Sequence, residues 1–401
     1  MTDQPTTAEL CTTGAPFVRA AEGARTVFIV TALAACGPLL AGIFLFGWRA
    51  AMVAAVCVLS CAAIENMYYS VTKVPALLGR SHAYLTGVLL ALTLPPFTPW
   101  YVAVVASAFA IIVGKGIFGG VGHFLWQPAI VGRLAVAVMF AGVLNPPNWP
   151  VLSQERLLVG DVTKAKAVEN YYHWQDRPAP AGADAFLLQR PAQALSGLSD
   201  PDETQFASLA STDEEQGAHG PAALMALPAI DELMYGAYGG GIGETCAIAI
   251  VIAGLYLIYR SYVKWQLPVA FIASAAAVAA LSPVYLLGAG GAGQAVSPLT
   301  GEGLDVGIIY VCYQLLGGGT LLAAFFLATE MTSRPVTGGG QLIFGVGCGV
   351  LAMFLQLYTP VPIPAYMAVL AMNTLTPAID GLWRPRVFGR RRFAWLGRSS
   401  R

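Results

Sequence analysis

Long apolar runs recur along this chain, separated by short connections and by one long polar segment in the middle. About 20 apolar residues cross a bilayer as a helix, so the runs predict about ten transmembrane helices and an all-α polytopic membrane protein. A composition of 56% apolar and 11% charged residues leaves too little polar surface for a water-soluble globule of 401 residues. The predicted segments are 26–47, 50–70, 83–97, 99–114, 128–147, 244–259, 267–287, 306–327, 341–358 and 363–380.

The lysines and arginines of the short connections predict the orientation, because these residues concentrate on the cytoplasmic side. With a cytoplasmic N-terminus, the short outer turns hold only Arg49, so both termini are predicted to be cytoplasmic. The inner cations are Lys73, Arg80, Lys115, Arg133, Arg260, Lys264, Arg334 and the arginines of the tail. The predicted divisions are a cytoplasmic N-terminal segment (1–25), a first membrane half (26–147), an extracytoplasmic acidic loop (148–238), a second membrane half (239–381) and a basic cytoplasmic tail (382–401).

The segment 148–238 contains thirteen acidic and five basic residues. Long loops largely escape the charge rule, so an acidic outer loop is compatible with this orientation. The whole chain carries no net charge, which gives no indication of a nucleic-acid partner. Membrane lipid is the expected surrounding.

Interrupted segments occur in both halves. In the first half, 86–96 ends in a double proline and 115–122 is rich in glycine; in the second half, the comparable places are the glycines from Gly239 onward and 328–335. Irregular backbone at membrane depth is tolerated only where protein buries it or where it lines a cavity. The pattern predicts two structural repeats with broken helices, as in many transporters.

The glycines at 239–243 precede an apolar run that ends near Arg260 and Lys264. Glycines let backbone amides approach a ligand closely, and a helix start is electropositive. The segment is therefore a candidate anion or phosphate site. The alternative, which spacing alone leaves open, is a capped helix whose glycines permit tight packing.

Several blocks of sequence together resemble the RnfD subunit of the Rnf electron-transport complex and the related NqrB subunit of sodium-pumping NADH:quinone reductase. The blocks are FGWRA (46–50), TGVLLALTLPPFTPWY (86–101), GKGIFGGVGHFLWQPAIVGR (114–133), IGETCAIAIVIAGLYLIYR (242–260), FFLATEMTSRPVTGGGQLIFG (325–345) and AMNTLTPAIDGLWRPRVFG (371–389). They cover nearly all membrane segments in order. The resemblance implies a ten-helix subunit with urea-transporter-like inverted repeats, in the bacterial cytoplasmic (inner) membrane.

The resemblance also implies cofactors. Family members carry FMN esterified to a threonine in a Ser-Gly-Ala-Thr-like motif of the outer loop, and can hold a second, non-covalent flavin. In this chain the best alignment puts Arg190 at the position of that threonine. Arginine has no hydroxyl to form a phosphoester, which weakens the expectation of covalent FMN. The predicted cofactor-binding residues are Gly241, Gly243, Glu244, Thr245, Thr332 and Ser333.

Ionisable and polar residues within the apolar runs are candidates for an ion path, because such groups are rarely placed in a bilayer without a function. Glu65, Glu330 and Asn373 are the predicted members. Glu330 has the alternative role of holding the local turn, and Asn373 that of a hydrogen bond between helices. Cys57 and Cys61 share a helix face, but no further ligand accompanies them, and no metal site is predicted.

Two functions remain open at this stage. The first is a membrane subunit of an Rnf-type or Nqr-type complex, which holds flavin and shapes the path of Na⁺ or H⁺ while partner subunits exchange electrons; such a subunit is not an enzyme alone. The second is a scaffold subunit or solute conduit that has lost the flavin. The glycine-rich run 288–293 matches a dinucleotide-binding pattern but follows a membrane span, so it is interpreted as an outer loop.

Overall fold

Helices make up most of the described chain in the computed structural model. The structure describes residues 23–72, 82–120, 122–144, 230–236, 240–287, 293–296, 304–359, 361 and 363–383. Outside these ranges lie nearly all of the predicted N-terminal segment, most of the acidic loop with Arg190, the inner cations Lys73 and Arg80, and most of the basic tail.

The first half begins with two long helices joined at Gly47, whose φ of 73° lets the chain reverse within one residue. Shorter helices follow, and the fourth continues directly into a π-helical segment. The elements are α1 (Ala24–Phe46), α2 (Trp48–Thr72), α3 (Ala83–Thr93), α4 (Trp100–Ala108) with the first π segment (Phe109–Gly116), α5 (Pro128–Met139) and α6 (Ala141–Leu144).

The second half contains helices of similar length and a second π segment. Its elements are α7 (Ile230–Tyr235), α8 (Ala247–Tyr259), α9 (Gln266–Leu281), β1 (Val284–Leu287), β2 (Gly293–Val296), α10 (Leu304–Leu316), α11 (Thr320–Leu322) with the second π segment (Ala323–Leu327), α12 (Gly338–Tyr358) and α13 (Pro364–Leu382).

The short hairpin corrects one prediction. The segment 267–287 was expected to be helical throughout, yet α9 ends at Leu281, and β1 pairs with β2 in antiparallel register from Val284 with Val296. Pro283 accounts for the break, because the residue before a proline is pushed out of the helical region. The described chain is thus helical apart from this hairpin, and 288–292 lie outside the described residues.

Three helices are long and apolar enough to cross a membrane, namely α1, α2 and α12. A fourth candidate is the pair Gly307–Leu316 and Thr320–Leu327, which is bent by 64°. Five further apolar helices are shorter. The prediction of a polytopic membrane protein agrees with these helices, whereas the count of ten spans and the internal repeat remain predictions.

The outer surface fits a lipid environment. Large apolar side chains point away from the protein, among them Leu33, Leu59 and Val138, each at least 66% exposed. Aromatic residues lie exposed at helix ends, such as Trp100 and Tyr259. Apolar sides with aromatic ends are typical of helices that cross between two membrane interfaces.

Small residues let the helices approach each other in the core. A Cβ atom on Gly132 of α5 would lie 2.3 Å from the carbonyl oxygen of Ala106 in α4, so only glycine fits there. Such close approaches drive association where the surroundings are as apolar as the protein. One continuous buried cluster includes residues of both halves, with α1 packed against α8 and α5 against α13.

Candidate functional site

The glycine segment, residues 240–246, lies between the two halves as irregular backbone before α8. The backbone amide of Ile242 donates to the carbonyl of Leu94 at 2.9 Å, and that of Gly243 donates to the carbonyl of Leu92 at 2.9 Å. Both acceptors belong to the end of α3. The segment therefore closes the end of a first-half helix with second-half backbone.

The end of α3 is completed by a buried arginine. Arg133 Nε donates to the carbonyl of Thr93 at 3.0 Å, and the arginine is 1% exposed. Together with the two amides of the glycine segment, it supplies donors to three successive carbonyls, those of residues 92–94. This explains how α3 ends before the proline pair, since exposed carbonyls are very unfavourable at membrane depth.

Glu244 is a buried carboxylate held by neutral donors. Its Oε2 accepts from the backbone amide of Gly241 at 2.9 Å, and its Oε1 accepts from the hydroxyl of Tyr366 in α13. Gly319, just before α11, lies against the same tyrosine hydroxyl. The hydroxyl of the adjacent Thr245, which is fully buried, has no hydrogen-bond partner within the described ranges.

These contacts bear on the predicted phosphate site. The amides of Gly241, Ile242 and Gly243 all donate to protein acceptors, and a Cβ on Gly243 would lie 2.3 Å from the side chain of Leu92. A Cβ on Gly42 of α1 would lie 1.9 Å from the carbonyl oxygen of Ile242. This geometry fits the alternative of glycines that permit tight packing.

A second site, the charge cluster, consists of Glu65, Lys115, Gln127 and Glu330. Lys115 Nζ lies 2.8 Å from Glu65 Oε1, and the two side chains are 3% and 2% exposed. Glu65 belongs to α2 and Lys115 to the first π segment. A buried pair of this kind is costly to break, because the remaining partner becomes an isolated charge.

Glu330 connects the second half to this pair. It follows the second π segment and lies close enough to Lys115 for electrostatic interaction, with the side chain of Gln127 beside it. It borders two small neighbouring cavities, one of which is also lined by His82, Phe124 and Lys115. Glu330 thus faces first-half residues, and no hydrogen bond within the described ranges ties it to its own turn.

Local structure explains how Lys115 and Gln127 reach this place. The π segment shifts the last turn before the glycine-rich connection, and the hydroxyl of Tyr68 donates to the carbonyl of Gly116 at 3.0 Å. Gln127 precedes the Pro128 that opens α5, and its Oε1 accepts from the amide of Ile130 at 2.9 Å. Single π turns often occur at functional sites.

The inner face of α13 brings the two sites into line. Tyr366 contacts Glu244 near the start of this helix, and Thr376, near its end, donates to the carbonyl of Ser333 at 3.1 Å. Asn373 lies between them on the same buried face, about 10 Å along the axis from Tyr366 at 1.5 Å per residue. It is fully buried.

Neither amide atom of Asn373 has a hydrogen-bond partner among the described residues. The interhelical hydrogen bond that was its alternative role is therefore not formed in this part of the chain. The hydroxyl of Ser333, at 2% exposed, is likewise without a partner there, whereas Thr332 is half-buried in the same turn.

The structure separates the predicted residues into two groups. Gly241, Gly243, Glu244 and Thr245 form the glycine segment, whereas the other candidates lie toward the charge cluster; these are Glu65, Glu330, Asn373, Thr332 and Ser333. Sequence analysis missed Tyr366 as a partner of Glu244, and counted Lys115 and Arg133 only as inner cations. Lys115 could have been found, because it interrupts the apolar run 109–114 and an ionisable group there is a functional candidate by default.

Within the described ranges, no group of three histidine, cysteine or carboxylate side chains is arranged to hold a metal ion. Cys57 and Cys61 are buried free thiols in α2. They pack in the core beside Ser107, whose hydroxyl donates to the carbonyl of Ala103.

The apolar surface, the irregular segments and the buried charges together define an integral membrane protein with a polar interior. Residues 11–389 match the model of the NQR2, RnfD, RnfE family. The chain belongs to this family.

Curated relatives extend the similarity over nearly the whole chain. The RnfD subunit of an ion-translocating oxidoreductase complex of Stutzerimonas stutzeri is 33% identical over 87% of this chain and 87% of its own length. The corresponding subunit of a proton-translocating ferredoxin:NAD(+) oxidoreductase complex of Clostridium ljungdahlii is 29% identical over 94% and 95%. That of the Na(+)-translocating complex of Acetobacterium woodii is 28% identical over 95% and 95%.

Proposed function

We propose that this chain is the RnfD membrane subunit of an Rnf-type ion-translocating ferredoxin:NAD oxidoreductase complex. The relatives that carry this name match it from end to end. The observation that carries the ion-translocating part is the buried charge cluster, in which Lys115 lies between carboxylates from both halves. The chain acts with partner subunits and is not an enzyme alone.

The proposal includes a topology of ten membrane segments in two repeats, with both termini in the cytoplasm of a bacterium. In this arrangement α3 with its extended end, α10 with α11, and α8 with the glycine segment each form one broken crossing. The short connections between α8 and α9 and between the second π segment and α12 then carry Arg260, Lys264 and Arg334 on the inner side, as the distribution of cations requires.

The ion path in this proposal follows the inner face of α13. It runs from Glu244 and Tyr366 past Asn373 to Glu330 and then to Glu65. Buried polar atoms without partners are unfavourable in a membrane core unless something else occupies them. The unpartnered amide of Asn373 and hydroxyl of Thr245 among the described residues are the observations that support a path at these points.

Electron transfer and ion movement in membrane vesicles test the proposal. Vesicles that contain the complete complex should reduce NAD⁺ with reduced ferredoxin and move Na⁺ or H⁺, followed with radioactive sodium and a pH-sensitive dye. Glu65→Gln should abolish ion movement, because the path loses a carboxylate. Lys264→Met, at an exposed cation outside the cluster, should leave both activities intact. Undiminished ion movement in Glu65→Gln would refute the ion path.

Flavin is the second part of the proposal and rests on the family. The described residues do not fit a phosphate group, since the amides of the glycine segment donate to protein acceptors and Thr245 alone in that segment offers a free hydroxyl. No step is therefore derived through FMN. The alternative, a scaffold subunit or solute conduit without covalent flavin, is favoured by these contacts and by Arg190.

Flavin content separates the two versions. In-gel fluorescence of the denatured subunit and the mass of the intact chain should be measured together. A fluorescent band with the added mass of one FMN supports the flavin-holding subunit. A dark band with the bare chain mass removes covalent FMN and leaves either a non-covalent flavin, which extraction from the native complex would reveal, or the scaffold.

A further inference from the structure

The formal charges of the cluster do not balance among the described residues. It holds two carboxylates, Glu65 and Glu330, and one ammonium, Lys115, which pairs with Glu65 at 2.8 Å and also lies beside Glu330. With all three groups ionised, the buried cluster is one positive charge short of neutrality. Buried net charge is strongly unfavourable, so one further monovalent cation would complete the cluster.

The other ionisable groups nearby do not supply that charge directly. His82 lines the cavity beside Glu330 and stacks on Phe28, with ring centroids 4.2 Å apart. Arg25 lies on the far side of His82 and is exposed. Arg334 donates to the carbonyl of Tyr262 at 3.1 Å. Protonation of His82 or of Glu330 itself is therefore the competing way to neutralise the cluster.

Oxygen ligands converge around Glu330 from three elements. Contacts hold these elements together: Trp126 Nε1 donates to the hydroxyl of Thr374 at 3.0 Å, and the hydroxyl of Thr376 donates to the carbonyl of Ser333 at 3.1 Å. The start of α5, the turn after the second π segment and α13 thus meet at one place. Each brings a buried polar side chain that has an unpartnered atom within the described ranges, namely Gln127, Glu330, Ser333 and Asn373.

We propose that Glu330, Gln127, Ser333 and Asn373 form a site for one Na⁺, and that Lys115 is its built-in competitor. A carboxylate with hydroxyl and amide oxygens is the ligand set that a hard cation prefers. When Na⁺ leaves, the Lys115 ammonium is already close enough to compensate the charge of Glu330. This inference rests on the proposed function and specifies its ion and its site.

Sodium titration of the purified complex in lipid nanodiscs tests the site, with choline chloride used to keep the ionic strength constant. Glu330→Gln should weaken sodium binding by about tenfold or more, because the site loses its charge. Glu65→Gln should also weaken it, because Lys115 is released to pair with Glu330. Lys115→Met should strengthen it by about tenfold, because the competitor is gone.

Two further variants guard against misfolding and unspecific effects. The double variant Glu65→Gln/Lys115→Met removes the pair together and should bind sodium at least about tenfold more tightly than Glu65→Gln alone. Lys264→Met, at an exposed position, should bind like the parent protein.

Several outcomes would overturn the inference. Sodium binding that Glu330→Gln leaves unchanged would remove the site, even if vesicles still translocate ions. Shifts of equal sign in Glu65→Gln and Lys115→Met would remove the competitor. Stability that depends on pH through Glu330 and never on sodium would mean a proton site. Conversely, the predicted sodium affinities without coupled transport would leave the site standing and refute the proposed function.

Discussion

The glycine segment and the charge cluster both place a carboxylate in the protein interior, but they satisfy it differently. Glu244 receives a backbone amide and a tyrosine hydroxyl, both neutral. Glu65 and Glu330 share the Lys115 ammonium that lies between them. A fully hydrogen-bonded group rigidifies a core, whereas carboxylates that compete for one cation can exchange it. The first site therefore has the character of a joint between the halves, and the second that of a functional centre.

Loss of the ammonium should have the largest effect on stability. Lys115→Met leaves Glu65 buried without its cation, so we expect a loss of about 3–5 kcal/mol in the free energy of unfolding. The measurement is unfolding of the purified protein in mixed micelles. Glu65→Gln/Lys115→Met should recover most of the loss, and a single variant as stable as the parent would show that the pair is not buried as described.

Packing at the joint can be tested with two glycines on the same helix. In Gly42→Ala the new Cβ would lie 1.9 Å from the carbonyl oxygen of Ile242, so the glycine segment must move, and we expect a loss of about 1–3 kcal/mol. Gly37→Ala is the matched control, since its Cβ would meet only Ala253 at 3.8 Å. Equal melting temperatures of the two variants would contradict a tightly packed joint.

The hydrogen bonds of Glu244 allow a third test. Tyr366→Phe removes one donor from a buried carboxylate, and we expect a loss of about 1–3 kcal/mol with unchanged sodium affinity. Tyr256→Phe, at a tyrosine that is 47% exposed in α8, serves as the control and should have little effect. A sodium affinity that falls with Tyr366→Phe would show that the two sites are coupled rather than distinct.

The smallest effect is expected where α13 meets the turn after the second π segment. Thr376→Val keeps the shape of the side chain but removes the hydroxyl that donates to the carbonyl of Ser333, so a loss of about 0.5–1.5 kcal/mol is expected. Because this contact aligns Ser333 with Asn373, sodium affinity should fall as well. Thr72→Val, at an exposed hydroxyl at the end of α2, should change neither stability nor affinity.

Much of the helical framework could be predicted from the sequence, because lipid exposure imposes long apolar runs. The expected segments 26–47 and 50–70 correspond to α1 and α2 within a few residues, and the double proline coincides with the end of α3. The hairpin after α9 was missed. Its residues are as apolar as the helix before them, so hydropathy alone does not separate the two; Pro283 was the available signal.

The candidate residues could be predicted individually, but their partners could not. Glu65, Glu330 and Asn373 stand out as polar groups in apolar surroundings, which is a local property of the sequence. That Lys115 belongs with Glu65, and Tyr366 with Glu244, depends on residues far apart along the chain. The glycine segment likewise looked like a ligand site, because nothing local reveals that its amides reach the carbonyls of Leu92 and Leu94.

The sequence by itself determined that this chain lies in a membrane, which family it belongs to, and where its helices run and break. These properties follow from the transfer of apolar side chains into lipid and from the backbone limits of proline and glycine, both of which act locally. Only the tertiary structure decided which buried polar groups are satisfied and which are left short of a partner. That distinction depends on packing between the halves, since a buried charge is stabilised only by the groups that the fold brings within a few ångströms of it.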